Sequence, residues 1–183
     1  YRVELGGELE GFSKSAGTLF VTLPLFLGLI LMILLGQFNS FKKMFIVTVT
    51  IPLAFSGGFI GLFVTGANFD FIAMLGFISL AGIIINNAIV LIDKIGEEQQ
   101  VGLGNIQAIT NACLNRLRPV IITTVTTIVA LIPLMLMQES MFYAMASVIT
   151  FGLGIGTVMT LGILPALYVW LIKDTSTINK ELQ

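Results

Sequence analysis

The sequence contains no histidine, one cysteine and very little charge of either sign. Without histidine the usual side chain that titrates near neutral pH is missing, so any proton handled here needs a carboxylate or a neighbouring chain. A single cysteine excludes a disulfide within the chain and makes a Cys/His zinc site implausible. Charged residues make up 10% of the chain, against about a quarter in an ordinary soluble domain. The nine basic and ten acidic residues leave a net charge of −1, so there is no basic patch and no case for nucleic acid. With 56% hydrophobic residues and a mean hydropathy of +1.01, the polar groups could not cover a water-soluble globule of this size. No phosphate loop, metal cluster or nucleophile–base constellation is present, and the chain reads as a non-enzyme that needs no cofactor.

What the sequence has instead is long apolar runs. Crossing about 30 Å of hydrocarbon takes roughly 20 helical residues. Five segments meet that length: 15–35, 44–65, 71–95, 117–137 and 142–172. The expected fold is an all-α polytopic membrane bundle. Between the third and fourth spans, Leu103, Ile106, Ile109, Cys113 and Leu117 recur at intervals of three and four. That spacing predicts an amphipathic helix lying on the membrane interface, with Cys113 packed on its apolar side. Pro119 is expected in the first turn of the fourth span, where its missing N–H costs little.

Basic residues orient the bundle. Lys42, Lys43, Lys94, Arg116, Arg118, Lys173 and Lys180 fall on one side, seven of the nine. Arg2 and Lys14 fall on the other, with Asp70, Glu139 and an acidic N-terminal stretch. The N-terminus is therefore expected outside and the C-terminus in the cytoplasm. The chain opens on Tyr1 without a signal-like segment, which reads as a cut through a longer polypeptide. Residues 1–14 would precede the membrane, 15–172 would form the membrane domain, and 173–183 would be a cytoplasmic tail.

Within the spans, Gly57 and Gly61 form a GxxxG pair, and Gly152, Gly156 and Thr160 continue that spacing in the fifth. Such stripes let helix backbones approach closely. Pro24, Pro52, Pro133 and Pro165 each fall inside a span and are expected to remove a backbone hydrogen bond there.

The most informative stretch is GIIINNAIVLID, residues 82–93, which sets two adjacent amides in an apolar run. At 100° per residue, Ser79, Gly82, Asn86 and Asp93 share a 60° arc, with Asn87 a further 100° round. Thr123, Thr126 and Thr127 share an arc on the fourth span, with Thr124 beside it. The residues admit two readings. One is a hydrogen-bonded polar seam between spans three and four that rearranges around a charge. The other is interhelical glue, which contributes about 0.6 kcal/mol per pair in membranes. No carboxylate or lysine lies mid-membrane, so the chain could supply only the uncharged side of a proton- or ion-coupling site.

QFNSFKK, IPLAFSGGFIGL, GIIINNAIVLID and NRLRPVIITT occur in that order. On these pieces the chain resembles the C-terminal transmembrane portion of resistance–nodulation–division (RND) efflux transporters of the AcrB type, the hydrophobe/amphiphile efflux branch. The resemblance implies that the spans are helices eight to twelve of a twelve-helix domain. Residues 1–14 would then close a periplasmic porter domain. It further implies a homotrimer in the bacterial inner membrane, driven by the proton gradient and working with a periplasmic adaptor and an outer-membrane channel. The N-terminal half of the polypeptide would carry an aspartate pair. The family's relay lysine falls on Asn86, its relay threonine on Thr123 and a relay arginine on Arg116; Asn87 and Asp93 complete the candidate coupling set. Asparagine in place of lysine is a departure, because an amide hydrogen-bonds to a carboxylate without neutralising it. Two alternatives stay open: a metal-ion or protein-export RND relative, and a non-transporting membrane scaffold.

Overall fold

The computed structural model describes the backbone of residues 7–100, 105–137 and 141–181, and side chains at 17, 24–100, 106–137 and 141–171. Among these residues the fold is all-helical, with five helices: α1 (Gly7–Phe38), α2 (Phe41–Thr65), α3 (Phe71–Gln100), α4 (Asn105–Leu136) and α5 (Tyr143–Glu181). Helices α2, α3, α4 and α5 are each long and apolar enough to cross a membrane, and α1 has a shorter apolar stretch over Pro24–Phe38. The expectations on Glu139 and on the side chains of Arg2, Lys14, Lys173 and Lys180 lie outside the described residues.

Local signals set the helix ends. Asn39 and Ser40 separate α1 from α2, with Asn39 in the left-handed region at φ 44°, which asparagine tolerates better than most residues. Gly66 closes α2 with φ 68° and ψ 17°, the left-handed stop that glycine makes at no steric cost. Asp70 then starts α3: the Ala73 amide donates to its Oδ1 at 2.7 Å, satisfying one of the orphan donors of the first turn.

The centre of the bundle is the α2–α5 pair, and glycine makes it close. A Cβ on Gly57 would sit 3.1 Å from the Gly152 Cα, and one on Gly61 would sit 2.8 Å from the Ser147 carbonyl. A Cβ on Gly156 would meet the Ala54 backbone at 3.2 Å. Both small-residue stripes expected from the sequence thus face each other. In lipid no hydrophobic force separates a helix pair from its surroundings, so van der Waals packing at this short range carries the association. Helix α3 lays Leu80 and Ile84 onto the same stripe, against Gly152 and Gly156.

Two apolar clusters follow. At the turn end, where residues 66–70 join α2 to α3, Ala54, Leu62, Ala73, Phe77, Leu80, Val148 and Leu153 pack together. At the opposite, basic end, Leu34 and Phe38 of α1 meet Ile46, Val47, Leu91, Ile92, Ile95, Leu164 and Tyr168. The second cluster also takes Ile109 and Ala112 of α4, with Cys113 packed against it.

That last contact revises one expectation. Residues 105–116 are helical and amphipathic, but they are not a separate element: α4 runs unbroken from Asn105 to Leu136. Its buried stripe is Ala108, Ile109 and Ala112, while Ile106 and Leu117 are exposed. Pro119 is therefore interior to the helix rather than in its first turn. The carbonyl it deprives of a donor belongs to Asn115, and both residues are exposed, so the lost bond opens outward and not into the packed core. The other helix bounds also exceed the hydropathic spans, because packing and capping extend helices past the apolar stretch. Backbone helix continues through 173–181, the segment expected as a tail.

Replacing Gly57 or Gly61 with Leu in the full-length protein is expected to cost about 1–3 kcal/mol or more through overpacking, read as a lower thermal midpoint in detergent. Gly96→Ala, where an added Cβ meets nothing within 4 Å, should leave that midpoint unchanged.

Candidate functional site

Helix α3 has two faces. One is packed: Ala73, Gly76, Phe77, Leu80, Ile84, Ala88, Leu91 and Ile95 are buried. The other carries the polar arc, and Ser79, Gly82, Asn86 and Asp93 are each exposed. Asn87 is half-buried at its edge. The arc expected from helical spacing is thus present and points out of the five-helix bundle. Among the described residues, no hydrogen bond joins Asn86 or Asn87 to Thr123 or to another side chain.

On α4, Thr123 and Thr126 are exposed and Thr127 is half-buried. Each hydroxyl turns back on its own helix. Thr123 donates to the Val120 carbonyl at 3.0 Å, Thr126 to Ile122 at 3.0 Å, and Thr127 to Thr123 at 2.8 Å. Threonine can satisfy itself in this way in an apolar setting, whereas an asparagine amide has more donors and acceptors than one carbonyl can match. The direct seam expected between α3 and α4 therefore does not form within this chain. Between the polar faces of α3 and α4, the unmet polar capacity is that of the two amides.

The hydroxyl pair that does cross between helices was not foreseen. Thr124 Oγ1 lies 3.0 Å from Thr157 Oγ1 of α5, and both residues are buried, at 8% and 4% exposure. Thr157 carries no sequence signal beyond its place on the small-residue helix α5. Thr150 and Thr160, on the same helix, have buried hydroxyls without a partner among the described residues.

The basic end of the bundle is wired by polar contacts. Lys94 pairs with Glu97 at 3.0 Å and Glu98 at 3.5 Å. The Asn115 amide reaches Glu98 at 3.4 Å, and half-buried Arg116 lies within electrostatic range of Glu97. Tyr168 donates to Gln99 Oε1 at 3.2 Å, and Lys42 reaches the Leu171 carbonyl at 3.2 Å. Arg116 is thus set beside the mouth of α3, about two turns of α4 from Thr123. Asp93 stands at the same end, exposed and beside the ion pairs. At the turn end, Tyr143 donates to the Thr65 carbonyl at 2.9 Å. Among the described residues no group of acidic, cysteine or histidine side chains could hold a metal ion.

Residues 1–172 match the profile of the AcrB/AcrD/AcrF family. The chain belongs to this family. Its relatives include the swarming motility protein SwrC of Bacillus subtilis, 32% identical over 93% of this chain and 17% of that protein. The cobalt-zinc-cadmium resistance protein CzcA of Cupriavidus metallidurans is 29% identical over 92% of this chain and 16% of that protein. A crystal structure of a heavy metal efflux pump superposes with a TM-score of 0.81 at 29% identity, covering 91% of this chain and 17% of the pump. The chain spans under a fifth of the length of these relatives. Membership establishes a multi-pass membrane protein of a transporter family. The amphiphile branch in particular is not distinguished, since metal-resistance proteins are among its relatives.

Because Thr123 is bonded within its own helix and Thr124 across helices, the two should differ in stability. Thr123→Val is expected to leave the thermal midpoint of the full-length protein unchanged, while Thr124→Val lowers stability by about 0.6 kcal/mol.

Proposed function

We propose that the full-length protein is an RND-type efflux transporter and that this chain supplies the uncharged side of its energy-coupling site. The observation that carries the reading is the outward polar arc of α3. Two amides with unmet hydrogen-bonding capacity face away from a helix whose other side is tightly packed. Against lipid such a face is costly, and against acidic helices from another part of the polypeptide it is matched.

In this reading an aspartate pair from the N-terminal half lies against Asn86 and Asn87, with Thr123 on the flank. When the carboxylates are ionised, the amides and the hydroxyl donate to them. When they are protonated, the same groups can accept. Protonation is thus converted into a change of hydrogen-bond partners between α3, α4 and the acidic helices. Asn86 stands where the family has lysine, so no ammonium compensates the negative charge. Arg116 and the Asp93 end of α3 are then the nearest charged groups of this chain, and they set the field at the mouth. The energy source is the proton gradient, and no cofactor takes part.

The family resemblance supports the remaining assignments. They are the bacterial inner membrane, a homotrimer, the N-terminus on the periplasmic side and the C-terminus in the cytoplasm, with a periplasmic adaptor and an outer-membrane channel as partners. For the cargo, the likeness to CzcA, to the nickel and cobalt resistance protein CnrA and to the heavy metal efflux pump favours a divalent metal cation. An amphiphile is the second reading, supported by the AcrB-type motifs.

Asn86→Leu in the full-length protein should cut transport roughly tenfold or more, the loss expected when a hydrogen bond to a charged group is removed. Membrane expression should be intact. Unchanged resistance in an efflux-deficient host would refute the coupling role. The same host, challenged in parallel with cobalt, zinc, cadmium and nickel salts and with amphiphilic dyes, separates the cargo classes by which challenge the wild type relieves.

A further inference from the structure

Helix α4 is anchored unevenly. Its first half sits on the basic-end cluster through Ala108, Ile109 and Ala112. Over Ile121–Leu136, Thr124 is the one buried residue among those described. Among the described residues its hydroxyl is also the one in this stretch that bonds to another helix, to Thr157 at 3.0 Å. One turn further along, α5 presents Gly154, where an added Cβ would lie 3.8 Å from the Ile128 side chain. Val120, one turn back from Thr124, is the other buried residue in this part of α4, and its apolar side chain carries no directional bond.

We infer that Thr157 is a positioning residue for Thr123: beyond Pro119, where α4 lacks the hydrogen bond to the Asn115 carbonyl, the buried Thr124–Thr157 pair selects the rotation of the helix. Adjacent residues on a helix differ by about 100°. With Thr124 held against α5, Thr123 is carried to the exposed side, as is Thr126. Rotation of α4 by one residue's angle would bring Thr123 to the buried position that Thr124 now holds, withdrawing the hydroxyl proposed for the coupling site. Apolar side chains that are interchangeable in lipid cannot enforce this choice, whereas a hydroxyl that finds its partner in one orientation can.

Thr157→Val keeps the side-chain shape and removes the hydroxyl. Thr124 could then bond back to its own helix, as Thr123, Thr126 and Thr127 already do, so the fold should survive while the rotational preference is released. The inference rests on the coupling role proposed for Thr123, and the test separates the two.

The experiment uses the full-length protein in a cysteine-free background that includes Cys113→Ala. Single cysteines placed at Thr123 and at half-buried Ile128 are alkylated with N-ethylmaleimide in membranes. The cysteine at 123 should react faster. Thr157→Val should narrow the ratio of the two rates roughly threefold, the population change that follows loss of one average interhelical hydrogen bond in a membrane; Thr157→Ser should restore it. In proteoliposomes, cargo moved per proton should fall in Thr157→Val and recover in Thr157→Ser. An unchanged labelling ratio overturns the inference, and so does a changed ratio with coupling intact. A wild type that moves cargo without protons overturns the proposed function instead, and that result is visible before any Thr157 variant is made.

Discussion

The structure depends on backbone contact between α2 and α5. Water does not drive these helices together, because their alternative neighbours are lipid chains as apolar as themselves. What lipid cannot reproduce is the close fit of two glycine-bearing backbones. Gly57 and Gly61 meet Phe151, Gly152 and the Ser147 carbonyl at distances that leave no room for a side chain. Leu80 and Ile84 of α3 pack onto the same stripe, so three helices share one seam. The aromatic group of Phe55, Phe59, Phe69 and Phe77 adds edge-on and tilted ring contacts at the turn end, with Phe55 and Phe77 5.1 Å apart.

From that seam the placement of chemistry follows. Since one side of α3 is committed to α2 and α5, the opposite side must look elsewhere, and that side holds Asn86, Ser79, Gly82 and Asp93. Helix α4 is held by a core contact at one end and, further along, by buried Val120 and a buried hydroxyl pair. A rigid unit that presents amides beside a helix that presents hydroxyls is a suitable arrangement for a site that changes its hydrogen-bond partners. At the basic end the Tyr168–Gln99 hydrogen bond ties α5 to α3, while Lys94 pairs with Glu97 and Glu98 within α3 itself.

Much of this was legible in the chain before any fold was known. The apolar spans, the glycine stripes and the polar arc all express short-range periodicity or residue geometry. Two features were not legible. Arg116, Arg118 and Pro119 together resemble a helix boundary, yet α4 passes through them, with Ile109 and Ala112 held by the basic-end core. Likewise four threonines in five positions, Thr123, Thr124, Thr126 and Thr127, look equivalent in sequence. Only the docking of α5 singles out Thr124, and only that docking gives Thr157 a role.

Sequence alone therefore determined the solvent, the apolar spans and which residues share a face, because hydrophobicity and the 3.6-residue period act locally. It also determined that no lysine or carboxylate of this chain lies mid-membrane. Tertiary structure decided which face of each helix is covered and which hydroxyl crosses between helices. Those choices depend on how closely two particular backbones can approach, and that distance is set by residues nearly a hundred positions apart, such as Gly57 and Gly152.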